Sequence, residues 1–308
     1  MNPEEATAWL AAHATRTAVL SDFDGTLSTI VADPSGATPL EGAVAAMKAL
    51  SDRLAVVAVV SGRPASFLVE RFGLGPSIRL EAYGLHGLEH VALGETTVDP
   101  GAASFLSALR RARDTARAAA PAGVEVEDKG FGVTIHWRRA EDPAAAAREM
   151  GLLASELARE GGLALRPGKA STELYPPLGI DKGSVVVSVA ERLIAGRAAP
   201  AAPEGSSRPG GRGGGRRGGR RGGRGGPAPI DVPGSGAGRM AFFGDDSGDL
   251  AAFSKLDSLA SSARLEVLKV AVGREEAPPE IVSSADLILD GPSATVALLG
   301  EVVRRLGG

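Results

Sequence analysis

The chain has 308 residues, of which 44% are hydrophobic and 23% charged, enough apolar content for a large core and too much for global disorder. It has no cysteine, which excludes disulfides, thiolate metal sites and cysteine nucleophiles. The net charge of −3 excludes a global nucleic-acid signature, but without the seven arginines between Arg208 and Arg224 it becomes −10, so an anionic substrate here needs local cations or a metal.

The opening MNPEEATAWLAAHATRT carries two early glutamates and lacks a basic start followed by a long apolar run. No secretory signal is expected, no stretch is long enough to span a membrane, and the cysteine-free composition fits a cytoplasmic setting. TAVLSDFDGT then reads as a buried strand running into a loop, and LAVVAVVSGRP and RMAFFGDDSGD repeat that form. LKVAVG and ADLILDGP read as two further strands, with helical patterns at Pro39–Leu50, Pro64–Phe72, Lys182–Ala195 and Ser293–Leu306. Continuous apolar strands alternating with helices predict an α/β fold, a Rossmann-like parallel sheet with helices on both faces.

The middle of the chain has a different order. Ala102–Ala120 and Pro143–Arg159 are helical patterns, and GVEVEDKGFGVTIHWR between them reads as two strands around a Lys-Gly turn. LALRPGKASTELYP returns to strands. The expectation is a small α+β cap domain over 101–170, inserted into a discontinuous core of 1–100 and 171–308. Residues 196–238 are almost only Gly and Arg with Pro-rich flanks, and read as a disordered insertion within the core. A flexible chain of that length spans on the order of 35 Å and joins neighbours without fixing their geometry.

Polar residues gather just after three of the predicted strands. In an open parallel sheet those carboxyl ends border one crevice, where ligands bind. The first end carries Asp22-Phe23-Asp24-Gly25-Thr26, two carboxylates leaving the strand in similar directions. Asp22 can attack phosphorus, and Asp24 can protonate a leaving oxygen and later activate water. The second carries Ser61-Gly62-Arg63, whose hydroxyl and backbone donors can hold phosphate oxygens. The third carries Asp245, Asp246 and Asp249, oxygen ligands for a hard cation such as Mg²⁺. Lys182 begins a predicted helix, where a cation and the helix N-terminal amides suit a phosphoryl dianion.

At these residues the chain resembles the haloacid dehalogenase superfamily, with all four signature elements in order. It looks closer still to the trehalose-6-phosphate phosphatase family. The carriers are Asp22–Leu27 with Ile30, Tyr83-Gly84-Leu85-His86-Gly87, Val126–Phe131 followed by His136-Trp137-Arg138, and Gly244-Asp245-Asp246 with Asp249 and Phe253. The resemblance implies an Mg²⁺-dependent phosphatase acting on a small-molecule sugar phosphate through an aspartyl-phosphate. It implies Asp22 as nucleophile, Asp24 as acid and base, Ser61 and Lys182 on the phosphate, and Mg²⁺ held by Asp22, the carbonyl of Asp24 and Asp245, with Asp246 or Asp249 supporting. Gly62, Arg63, His86, Glu127, Lys129, Arg138 and Glu173 would contact phosphate or sugar.

Plainer readings stand beside these. Glu127, Asp128 and Lys129 can be an ordinary charged hairpin, and Asp245, Asp246 and Asp249 can cap a following helix. His136 in an apolar strand reads as a packed histidine and stays outside the expected site. Competing functions are a capped phosphatase for sucrose phosphate or mannosyl phosphoglycerate, or a nucleic-acid-associated protein acting through the Gly/Arg tract.

Overall fold

The computed structural model describes residues 1–31, 34–196, 238–262, 265–273 and 277–307. The expected insertion at 196–238 therefore lies outside the described residues, apart from Gly196 and Gly238. Its two flanks meet: a side chain added at Gly238 would lie 3.0 Å from Leu193.

In chain order the larger unit comprises α1 (Pro3–Ala11), β1 (Thr17–Ser21), α2 (Ala43–Ser51), β2 (Val56–Val60), α3 (Ala65–Phe72), β3 (Glu81–Gly84), β4 (Glu89–Ala92) and β5 (Glu95–Val98). The smaller unit follows, with α4 (Leu106–Ala119), β6 (Glu125–Asp128), β7 (Val133–His136), α5 (Pro143–Gly161), β8 (Ala164–Gly168) and β9 (Ser171–Tyr175). The chain then returns to the larger unit through α6 (Lys182–Ile194), β10 (Gly238–Gly244), α7 (Leu250–Ser261), β11 (Leu265–Val272), α8 (Pro279–Ser284), β12 (Leu287–Leu289) and α9 (Pro292–Arg305). Among the described residues, no helix is long and apolar enough to cross a membrane.

The large sheet has the order β12-β11-β10-β1-β2-β3-β4-β5. Its first six strands are parallel, as expected from their continuous apolar runs. The β4–β5 hairpin extends the β3 edge antiparallel. Its polar, short strands gave no strand signal in the sequence. Alternate residues divide between two buried layers. Val19, Val57, Val59, Ala241 and Phe243 pack under α1, α2, α3 and α9. Ala18, Leu20, Val56, Ala58, Met240 and Phe242 pack under α6, α7 and α8. The central strands are thus covered on both faces, the α/β arrangement with helices on both sides of the sheet.

The small sheet has the order β6-β7-β9-β8 and packs one face on α4 and α5 through Val133, Ile135, Leu174, Met150 and Leu109. This corrects one expected boundary. Ser171–Tyr175 pairs with β7 and β8, so the small unit runs past residue 170. The chain returns to the larger unit only after this strand, because without it β7 has an open edge and β8 has no partner. The expected helix at Pro39–Leu50 begins at Ala43 instead, since Gly42 takes a left-handed conformation at φ +83°.

One buried ion-pair network ties α6 to the β3–β4 edge. Glu81 is 3% exposed and accepts from Arg192 at 3.1 and 2.9 Å and from the Tyr83 hydroxyl at 3.2 Å; His90 Nε2 lies 2.8 Å from it. Burial pushes the Glu81 carboxyl up, but the His90 hydrogen bond and the Arg192 charge outweigh it and hold the group below its ordinary value. Its stabilising contribution is therefore complete above about pH 4.5 and is lost as pH falls through the depressed folded value. Arg192→Met should cost about 3–5 kcal/mol in urea denaturation at neutral pH, because it strands a buried carboxylate. Adding Glu81→Gln should recover much of that loss, and the acid-side loss should flatten in the double variant.

Candidate active site

The site forms where the carboxyl ends of β1, β2 and β10 meet the N-terminus of α6. Asp22 follows β1 and keeps its line: its N–H donates to Phe243 O of β10 at 2.8 Å. Phe23 turns the other way and is fully buried edge-on to Phe67 and Phe72. The strand alternation thus puts Asp22 and Asp24 on the crevice side while Phe23 anchors the loop. Gly25 turns the chain at φ +81°, and a Cβ there would lie 2.1 Å from Asp245 Oδ2, so glycine is required. Thr26 Oγ1 donates to Asp245 Oδ1 at 3.0 Å, tying the first loop to the third.

Lys182 is the first residue of α6, whose Asp181 cap accepts from Ser184 N at 2.8 Å. It is 3% exposed, and its Nζ lies 2.9 Å from Asp22 Oδ2 and 2.7 Å from Asp249 Oδ1. Asp249 is fully buried, and its other oxygen accepts from the N–H groups of Asp245 and Asp246 at 3.0 and 3.2 Å. Asp246 is exposed and caps Gly248 N at 2.7 Å. Burial drives the Asp22 carboxyl well above its ordinary value, with Lys182 opposing and Asp249 and Asp245 adding to the rise. Burial and the same crowding push Asp245 up to about 7. Lys182 is raised: burial works against its charge, but Asp22 and Asp249 outweigh it.

These carboxylates outnumber the one lysine among them. Oxygens of Asp22, Asp246 and Asp249 lie within 4.8 Å of one another. An all-oxygen set with excess negative charge matches a hard divalent cation. Asp249 is the member least free to ligate, since both its oxygens already serve Lys182 and two backbone amides. The Asp24 side chain is engaged elsewhere, in keeping with the expectation of its carbonyl, not its carboxylate, as a ligand. Its two oxygens accept from Arg63 Nε and Nη2 at 2.8 and 2.7 Å, which leaves its backbone carbonyl for the implied metal role.

The second strand end is braced from behind. Ser61 is 1% exposed, Arg63 N donates to its Oγ at 3.2 Å, and His86 N donates to its carbonyl at 2.8 Å. His86 sits at φ +61° in the turn after β3, with its ring against Gly62, where a Cβ would come within 2.7 Å of Nε2.

The small sheet supplies the opposite wall of a cleft of about 1860 Å³. Glu173, 7% exposed, accepts from Lys129 at 3.0 Å and Arg166 at 2.9 Å, with His86 Nε2 at 3.6 Å. Burial pushes Glu173 up, but His86, Lys129 and Arg166 together hold it far below its ordinary value. His86 itself is lowered by burial, against the pull of Glu173. Lys129 also reaches Gly62 O at 3.5 Å, so it bridges the two units. Glu127 pairs with His136 at 3.0 Å, and Arg138 donates to Lys169 O at 3.3 Å at the cleft wall.

Every expected site residue except Asp249 lines this cleft, and Asp249 lies directly beneath it. His136 and Arg166 were not expected there. His136 points from the polar face of β7, a direction that its i, i+2 spacing with Thr134 carries in the sequence. Arg166 had no signal beyond its alternation on β8. His86 and His90 pair with different carboxylates, so their sequence spacing brings them to no common centre.

A family profile described as trehalose-phosphatase matches residues 20–202. The trehalose-phosphate phosphatases of Mycobacterium ulcerans (strain Agy99) and Mycobacterium marinum (strain ATCC BAA-535 / M) are each 39% identical over 196 residues, covering 61% of this chain and 47% of theirs. The chain thus spans about half the length of the curated relatives it matches. Among solved structures, the C-terminal domain of a trehalose-6-phosphate phosphatase from C. albicans superposes with a TM-score of 0.69 at 23% identity, covering 97% of this chain and 96% of that one. A trehalose-6-phosphate phosphatase related protein gives 0.65 at 20% identity, covering 93% and 97%. These structural likenesses bear on the fold alone.

Lys182→Met removes the cation between two buried carboxylates. It should lower stability by about 3–5 kcal/mol in chemical denaturation. Asp249→Asn in the same chain should restore part of it, as a double-mutant cycle would read.

Proposed function

The chain belongs to the trehalose-phosphatase family, and from that membership and the site's geometry we propose that it hydrolyses trehalose 6-phosphate to trehalose and phosphate. The observation that carries the reading is Lys182 Nζ between Asp22 and Asp249, on the floor of a cleft whose other wall carries Glu127, Lys129 and Glu173. That arrangement pairs a phosphoryl-transfer floor with a wall rich in sugar-hydroxyl partners.

In this reading the phosphoryl group rests against Ser61 Oγ and the backbone of Gly62 and Arg63. Lys182 offsets its negative charge and orients the Asp22 carboxylate. Asp22 attacks phosphorus, the P–O bond to the sugar breaks, and Asp24 gives its proton to the departing sugar oxygen. Asp24 then takes a proton from water, which attacks the aspartyl-phosphate and frees Asp22 and phosphate. Arg63 holds both Asp24 oxygens by hydrogen bonds, so one of these bonds opens for Asp24 to take up from solvent the proton that it then delivers. Mg²⁺ would be held by Asp22, the Asp24 carbonyl and Asp245, with Asp246 closing the set. It would supply charge neutralisation for the phosphate and the attacking carboxylate. Glu127, Lys129, Arg138 and Glu173, with His86 behind Glu173, would bind the sugar. The setting is cytoplasmic.

Phosphate release from trehalose 6-phosphate, sucrose 6-phosphate, glucose 6-phosphate and mannosyl phosphoglycerate tests the substrate. Trehalose 6-phosphate should lead by roughly tenfold or more in kcat/KM. Asp22→Asn should abolish the activity, and weak, equal turnover of all four would sink the assignment. Chelation by EDTA should stop turnover and added Mg²⁺ should restore it; full activity in EDTA would remove the metal from the reading.

A further inference from the structure

The cleft wall contributed by the small sheet has a central row set by strand register. Glu127 of β6 opposes Thr134 of β7, Thr134 opposes Glu173 of β9, and Glu173 opposes Arg166 of β8. Directly opposed residues share a face. The other face is the apolar one, where Val133, Ile135 and Leu174 pack on α4 and α5. The four side chains of the row all line the cleft.

Three members of the row already have partners. Glu127 has His136, and Glu173 has Lys129 and Arg166. Thr134 has none: the residue is 4% exposed and its Oγ1 is a buried oxygen without a hydrogen bond. Among the described residues only Arg71 Nε, Arg192 Nε and Thr295 Oγ1 share that condition, and none of these lines the cleft. The two arginines bond through their other nitrogens. An unpaired buried hydroxyl costs free energy that a valine of the same shape would avoid. Rotation about one bond exchanges the threonine hydroxyl and methyl, so the oxygen can be turned to a ligand without moving the backbone.

We propose that Thr134 is a specificity-determining residue whose hydroxyl bonds one sugar hydroxyl seated between Glu127 and Glu173. The inference rests on the sugar-phosphate reading above and deepens it. The chemistry selects a hydroxyl. Carboxylates only accept, so a sugar O–H gives its proton to Glu127 or Glu173 and its lone pairs then need a donor. Thr134 Oγ1 is the donor that lies between those two carboxylates in register and has no other use.

Thr134→Val and Thr134→Ser test this by kcat and KM on trehalose 6-phosphate and on p-nitrophenyl phosphate, which has no sugar ring. Thr134→Val should lower the ratio of kcat/KM between the two by roughly five- to thirtyfold, mostly through KM for the sugar phosphate. Thr134→Ser, which keeps the hydroxyl, should restore most of the ratio. Thr134→Ala gives the same reading if valine fails to accumulate. An unchanged ratio in Thr134→Val, or a loss in Thr134→Ser equal to that in valine, overturns the inference while leaving the phosphatase reading intact. If the unaltered protein prefers another sugar phosphate, the substrate assignment fails and the Thr134 ratio is read on that sugar. If it releases phosphate from none, both fall.

Discussion

The Lys182 ammonium, wedged between Asp22 and Asp249, is the interaction on which the rest of the site depends. Both carboxylates are almost wholly removed from water. Two such groups facing each other in a low-dielectric interior would repel strongly or take up protons. A cation within 3 Å of both makes the arrangement tenable. It also fixes three separate parts of the chain against one another: the end of β1, the start of α6 and the loop after β10. The fold holds them there with unusually close backbone approaches. Gly25 runs against Asp245, Gly183 against Ala251 of α7, and Gly244 against Asp249. Each contact leaves no room for a side chain.

The two walls of the cleft solve different electrostatic problems. On the floor, carboxylates outnumber the single lysine, and the surplus negative charge calls for an added cation. On the wall, Glu173 is paired with both Lys129 and Arg166, so its charge is met by side chains of the wall itself. Under the proposed function, trehalose 6-phosphate would bring a phosphoryl dianion to the floor and hydroxyl groups to the wall. Lys129 and His86 make the joint between the walls. One comes from the small unit and reaches Gly62 O; the other comes from the large unit and approaches Glu173. Movement of the small unit would therefore be felt at the Ser61-Gly62-Arg63 turn.

Much of the fold was legible because its strands are buried on both faces. TAVLS, VVAVV and MAFF are continuous apolar runs, and such runs with helices between them admit few arrangements. The β4–β5 hairpin was not legible. It lies at the sheet edge with only Val91 fully buried, so apolar patterning had little to show. The fourth strand of the small sheet was read as a strand but assigned to the wrong unit. Pairing partners are a long-range property, and nothing local in STELY states that it joins β7 rather than β2.

Residue chemistry by itself determined which groups gather at the strand ends, since a carboxylate following a buried strand has only the crevice to enter. Only the tertiary structure decided the partners. It gave Asp24 to Arg63, bound Asp249 to Lys182 and two amides, brought Arg166 and His136 to the cleft wall, and left the Thr134 hydroxyl without a hydrogen bond. The Asp24–Arg63 and Lys182–Asp249 pairs join residues 39 and 67 positions apart. They follow from strand order and register, which are set by burial summed over the whole sheet rather than by any local run of sequence.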